Sequence, residues 1–163
     1  MSKIHHFKGF PVVDGDMKVK LNMDRFSRQY QEAQYLLDGM VMDSMVPFMP
    51  MITGNFINRT RIDSASLQGT GFVCAAAAPY GRFLYEGKGM VDEATGSPYA
   101  RHGAKKVLVS QFSGRTAAKE NLEYTKQAHP QAQAKWFDAA KRQYGNTWIR
   151  KVKAQAGGGR HGR

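Results

Sequence analysis

Few residues in this sequence have the type and spacing that chemistry requires. The one thiol, Cys74, would need a base and an orienting acid to act as a nucleophile. It sits in the apolar run Gly71-Phe72-Val73-Cys74-Ala75, where a small buried hydrophobe is the simpler reading. His102 and His129 are available as bases, but no local motif ties either to Cys74. A zinc site needs clustered Cys and His. Here only His5 and His6 are neighbours, while His102, His129 and His161 are dispersed. A phosphate-cradling loop needs glycines at fixed spacing beside Lys and Ser/Thr, and Gly87-Lys88-Gly89 lacks those partners. The carboxylate pair Asp92-Glu93 lies between glycines and reads as turn chemistry. The expectation is a chain with no catalytic residues, no metal and no cofactor.

Charge is the stronger signal. Residues 1–98 hold ten Lys/Arg and ten Asp/Glu; residues 99–163 hold fourteen and three, so the formal +11 lies wholly in the second part. Such segregation points to an acidic partner, either nucleic acid or an acidic protein surface, with a solvated basic face as the plain alternative. The candidates to meet it are Lys105, Lys106, Arg150, Lys151, Lys153, Arg160 and Arg163. Basic and aromatic residues also interleave in 135–151 (Lys135, Trp136, Phe137, Lys141, Arg142, Tyr144, Trp148, Arg150). Exposed, those rings could stack on bases. Their helical spacing assigns them instead to the core, leaving a basic face for phosphates in any sequence.

The elements that must position these residues follow from periodicity. Met17, Val19 and Leu21 alternate with Lys18, Lys20 and Asn22, which predicts a half-buried strand. Asp24 offers a cap for a helix carrying Phe26, Tyr30, Ala33, Leu37, Met40, Val41, Ser44 and Met45 on one face. It would run roughly 33 Å before Pro47 and Pro50 end it. Met40, Met42, Met45, Met49 and Met51 gather there, as core filling or as an adaptable binding face. A turn at Thr53-Gly54-Asn55 and a strand up to Ile62 are predicted next, then a second strand over 67–78. The alanines 75–78 of that strand would allow close backbone approach. Phe83-Leu84-Tyr85 reads as a short strand or helical turn stopping at Gly87.

Residues 87–128 are irregular apart from a strand at 106–110, yet rich in apolar and aromatic residues. They are expected to form an arm ordered against another chain. Tyr99, Phe112 and Tyr124 are its candidate subunit-interface residues. A final helix is predicted from Pro130, through the stripe Trp136, Phe137, Ala140, Tyr144, Trp148, Ile149 and Val152, to the glycines at 157–159. The expected organisation is a single α+β domain over 1–156 with that arm, and a flexible basic tail at 157–163. No apolar stretch reaches the length of a membrane span or a secretory leader, so a soluble protein of a reducing compartment is expected.

Three segments carry a resemblance. They are Met45-Val46-Pro47-Phe48 leading into Thr53-Gly54-Asn55-Phe56; Ala78-Pro79-Tyr80-Gly81-Arg82-Phe83-Leu84-Tyr85-Glu86-Gly87; and His129-Pro130 followed by Ala134-Lys135-Trp136-Phe137-Asp138-Ala139-Ala140-Lys141. In this order and spacing, over about residues 17–153, the chain resembles the minor capsid proteins of tailed phages. Those are in turn similar to the neck or tail-completion (head–tail connector) proteins of long-tailed phages. Gly81 departs from the alanine common there, and 157 onward has no counterpart. The resemblance implies an α+β fold with a long N-terminal helix on an antiparallel sheet and a C-terminal helix. It implies a homo-oligomeric ring in the virion neck, assembled in the host cytoplasm, with six-fold closure the first choice and twelve-fold the second. Its neighbours would be head-completion and tail-terminator or tail-tube proteins, with non-specific contact to genomic DNA and no membrane. A shell-bound minor capsid protein and a free, non-specific DNA-binding protein are the alternatives.

Overall fold

The computed structural model describes residues 11–14, 17–20, 24–99 and 102–158. The chain is α+β. A hairpin of β1 (Pro11–Asp14) and β2 (Met17–Lys20) pairs antiparallel, with Val12 opposite Val19. The predicted strand at 16–22 is thus the second arm of a hairpin, as far as its described residues go. α1 (Asp24–Met45) follows with the predicted bounds. Pro47 tightens the exit into a 3₁₀ turn, Val46–Phe48, because proline supplies no N–H to continue the α ladder. The second long helix, α4, is Trp136–Lys153. α1 packs chiefly on α4 rather than on a sheet.

The core lies where the C-terminal half of α1 meets α4. Val41, Met42, Met45, Phe48 and Met49 are buried with Trp136, Ala140 and Trp148. Met40 and Met51 pack half-buried against them, so the methionine cluster is core filling. The N-terminal half of α1 is looser, with Phe26 and Tyr30 about half exposed.

Three predicted elements are corrected. The strand expected up to Ile62 is a helix, α2 (Asn55–Ala65). Gly54, at φ 79°, turns the chain into it, and Ile57, Thr60 and Ser64 are buried at helical spacing. β-branched residues suggested a strand, but burial at helical spacing prevails, and the buried Thr60 hydroxyl is satisfied by donating to the Phe56 carbonyl one turn back, 2.8 Å. The strand expected over 67–78 is a run of turns and irregular backbone, since Gly69 and Gly71 take φ of 84° and 82°. The final helix begins at Trp136 rather than Pro130. The preceding backbone is committed elsewhere: Gln133 N–H donates to the Phe48 carbonyl (3.0 Å) and Lys135 N–H to that of Tyr85 (2.8 Å).

The remaining elements are small. α3 (Gly81–Glu86) is the helical alternative for 83–85 and ends on Gly87 at φ 70°. Its first residue touches the alanine run: a Cβ on Gly81 would stand 2.6 Å from the Ala76 carbonyl carbon. The close approach expected of those alanines is therefore made by α3. β3 (Met90–Asp92) pairs antiparallel with β4 (Lys106–Leu108), and a 3₁₀ turn, Val109–Gln111, replaces the end of the strand expected at 106–110. α4 runs into a wider turn, Ala154–Gly158, that closes at Gly157 with φ 89°. The rest of the tail expected at 157–163 lies outside the described residues.

The described residues of 87–128, the expected arm, bond within their own segment and to α3. Leu122 N–H donates to the Gly87 carbonyl (2.9 Å) and Gly89 N–H to that of Glu120 (2.7 Å). The Tyr124 hydroxyl donates to the Leu84 carbonyl at 2.5 Å.

Candidate functional site

Cys74, His129 and Asp92 have structural work in this fold, while His102 is exposed in a turn. Cys74 is half-buried, and its carbonyl accepts the Ser64 hydroxyl at 2.9 Å. The His129 ring bonds the Met49 carbonyl through Nδ1, 2.8 Å, fixing the approach to α4 beneath the exit of α1. Asp92 is buried, and its Oδ1 accepts the Ala94 and Thr95 amides at 2.8 and 3.3 Å, a turn closed by a carboxylate. Glu93 pairs with Lys105 at 3.0 Å. Among the described residues no group of three His, Cys, Asp or Glu is arranged to hold a metal ion. No helix among them is long and apolar enough to cross a membrane.

One buried acid was not visible in the sequence. Asp38 is 4% exposed and accepts the amides of Gly69 (2.8 Å) and Gly71 (3.1 Å) and the side-chain amide of Gln34 (2.7 Å). It ties the glycine loop to α1. The available signal was an acid on the inner side of an apolar helix, with two glycines following in a loop.

The basic candidates separate into two groups. Lys105 and Lys106 stand on the β3–β4 hairpin, where Lys105 meets Glu93 and the Lys106 ammonium donates to the Pro98 carbonyl at 3.0 Å. Arg150, Lys151 and Lys153 are exposed in the last turns of α4, where positive charge opposes the negative helix end. At about 100° per residue, Arg150 and Lys153, three apart, share one face, while Lys151 stands about a quarter-turn round from Arg150. No carboxylate among the described residues pairs with them. Arg160 and Arg163 lie outside the described residues.

The three aromatic candidates differ in what they offer. Tyr99 is 87% exposed. Phe112 is half-buried and lies across Gly96 and Gly114, where added Cβ atoms would meet its ring at 2.5 and 2.8 Å. Tyr124 is half-buried against α3, and burial raises its phenol above the ordinary value. Tyr85 is raised likewise, by burial first and then by the carboxylates of Asp138 and Glu86. The Glu123 carboxyl is lowered by the hydrogen bond it accepts from Lys119.

The aromatics of 135–151 stand in or against the core. Trp136 is fully buried, its indole N–H donating to the Ala75 carbonyl at 2.8 Å. The Tyr85 and Phe56 rings meet it edge-on at 4.9 and 5.9 Å. Trp148 is buried, bonds the Ser44 hydroxyl at 3.1 Å and stacks on Phe137 at 6.4 Å. These rings are thus committed to the core, while Arg150, Lys151 and Lys153 remain exposed. No family model, curated protein or solved structure matches the chain.

Proposed function

We propose that this chain is a structural virion protein of a tailed phage. In this reading it is a ring subunit of the neck, or head–tail connector, joining tail to head around the DNA channel. The observation that carries the reading is the meeting of the three resembling segments on one residue. Phe56 of the first and Tyr85 of the second both pack on Trp136 of the third. Backbone bonds link the same three segments, from Gln133 to Phe48 and from Lys135 to Tyr85. Motifs far apart in sequence thus act as one apolar nucleus, which is how a scaffold, rather than a catalytic constellation, uses its most distinctive residues.

The charge pattern supports the same reading. The cations at the end of α4, without a carboxylate partner among the described residues, suit an acidic neighbour ring, or the phosphates of passing DNA. A conduit must pass every sequence, so contact through phosphates without base reading is what it needs. Of the three aromatic interface candidates, Tyr99 is the exposed one and suits a neighbouring subunit. Purified particles and the isolated protein test this. Symmetry-resolved imaging and native mass are expected to find the chain in a closed ring at the head–tail junction. Copies spread over the shell would favour the minor capsid alternative. A protein absent from particles, with strongly salt-dependent DNA affinity as a monomer, would favour the DNA-binding one.

A further inference from the structure

A cleft of about 640 Å³ runs beside β4, between that strand and α3. Its apolar lining includes Phe83, Met90 and Leu108, and Arg82, Lys88 and Lys106 stand around it. Glu86 is the carboxylate among the lining residues. The cations are unequally compensated. Lys105 has Glu93 at 3.0 Å and Lys88 has Glu120 at 3.6 Å, while Glu86 pairs outward with Lys135 at 3.9 Å. Lys106 donates to a neutral carbonyl, that of Pro98, and Arg82 pairs with no carboxylate among the described residues. Two positive charges therefore stand over an apolar floor without an acid of their own.

The backbone beside this cleft is also open. Val109 N–H donates to the Gly89 carbonyl, and Glu93 N–H to that of Lys105. With Val91 opposite Val107, this register turns residues 105, 107 and 109 toward β3. Lys106 and Leu108 therefore face away from β3, and neither amide makes a backbone bond on that outer side among the described residues. A free edge of this kind is a template for another strand.

We propose that the cleft is a docking site for an extended, acidic segment of a different protein, taken up as a third strand on β4. The segment's backbone would bond the Lys106 N–H and carbonyl and the Leu108 N–H. Its alternate side chains would fill the apolar floor and bring carboxylates to Arg82 and Lys106. Charge decides the occupant. A second copy of this chain carries a net +11, and its own β4 edge would bring lysines rather than carboxylates to the site. A nucleic acid would satisfy the cations but leave the strand edge and the apolar floor without matched groups. The inference does not depend on the ring reading, and its test uses the isolated full-length protein.

The probes are short fluorescent peptides with Val or Ile at alternate positions and Asp or Glu between them. Matched sets carry Asn/Gln or Lys in place of the acids. Anisotropy and amide chemical shifts are read on the wild type, on Arg82→Gln/Lys106→Gln, and on Lys106→Gln beside Lys106→Pro. Acidic members are expected to bind saturably and to shift the amides of Lys106 and Leu108. The double Gln variant should weaken binding at least about fivefold. Lys106→Pro should weaken it beyond Lys106→Gln, because proline removes the outward N–H. If the proline variant does not fold, the wild-type amide shifts decide. The proposal is overturned if no acidic peptide binds, or if the shifts fall elsewhere. It is equally overturned if a single-stranded oligonucleotide of equal charge binds through the same residues better than the peptides do.

Discussion

Replacing Trp136 with alanine should be among the most damaging single changes to this protein. The indole is fully buried, holds the Ala75 carbonyl at 2.8 Å, and receives the Tyr85 and Phe56 rings at 4.9 and 5.9 Å. Truncating a buried tryptophan costs about 3–5 kcal/mol through lost burial and the cavity left behind. The unmet Ala75 carbonyl adds about 1 kcal/mol or more if water does not reach it. Against a total stability of about 5–15 kcal/mol for a domain of this size, that removes a large share. Trp136→Phe should cost less, since a ring remains, but it still loses the bond to Ala75. Tyr99→Ala, at an 87% exposed side chain, should stay within about 0.5 kcal/mol of wild type. Urea unfolding followed by circular dichroism gives all three, read as a shift in midpoint at constant slope. If Trp136→Ala costs under about 1.5 kcal/mol, or no more than Tyr99→Ala, the three segments do not share a nucleus and the argument from it is wrong.

Other outcomes follow from particular residues. Gly145 lies within α4 with ordinary space around it, the nearest atom being Lys141 Cγ at 3.8 Å, so Gly145→Ala should stabilise by about 0.5–1 kcal/mol in the same assay; a loss would show that its backbone is not free to be helical. Tyr124 and Tyr85 have phenols raised above their ordinary 10.0 by burial. Their contribution is therefore complete below pH 10 and is lost as pH rises through the folded values. Urea midpoints should fall in that alkaline range, and less steeply in Tyr124→Phe; an equal slope would show that Tyr124 does not take part. Changing Arg150, Lys151 and Lys153 together to Gln should impair particle assembly or DNA retention while leaving the fold intact. Normal assembly, retention and infectivity would reduce this cluster to a solvated face.

The sequence was most legible where one periodicity dominated. The bounds of α1 follow from its three-and-four spacing and from Pro47, and the aromatic residues of the α4 stripe are buried or half-buried as their spacing requires, whereas Ile149 of the same stripe is 55% exposed. It misled where composition and geometry competed. Phe56, Ile57, Thr60 and Ile62 look like a strand by residue type, yet burial selects Ile57, Thr60 and Ser64, a helical set, while Ile62 is 69% exposed. Pro130 is compatible with a helix start, but long-range bonds to Phe48 and Tyr85 occupy the following backbone, and no local pattern encodes them. Among candidate residues, the positions of Lys105 and Lys106 on a hairpin were readable from their strand. The commitment of Tyr124 to Leu84, and of Asp38 to two glycine amides, depends on tertiary contacts across forty and about thirty residues.

The most direct measurement of the proposed function is a symmetry-resolved map of the intact particle with this chain located in it. Copies are expected to close in a ring at the junction of head and tail, six-fold first and twelve-fold second, with the α4 cations facing DNA or an acidic neighbour. A chain found only as a free monomer, absent from the particle, would contradict it.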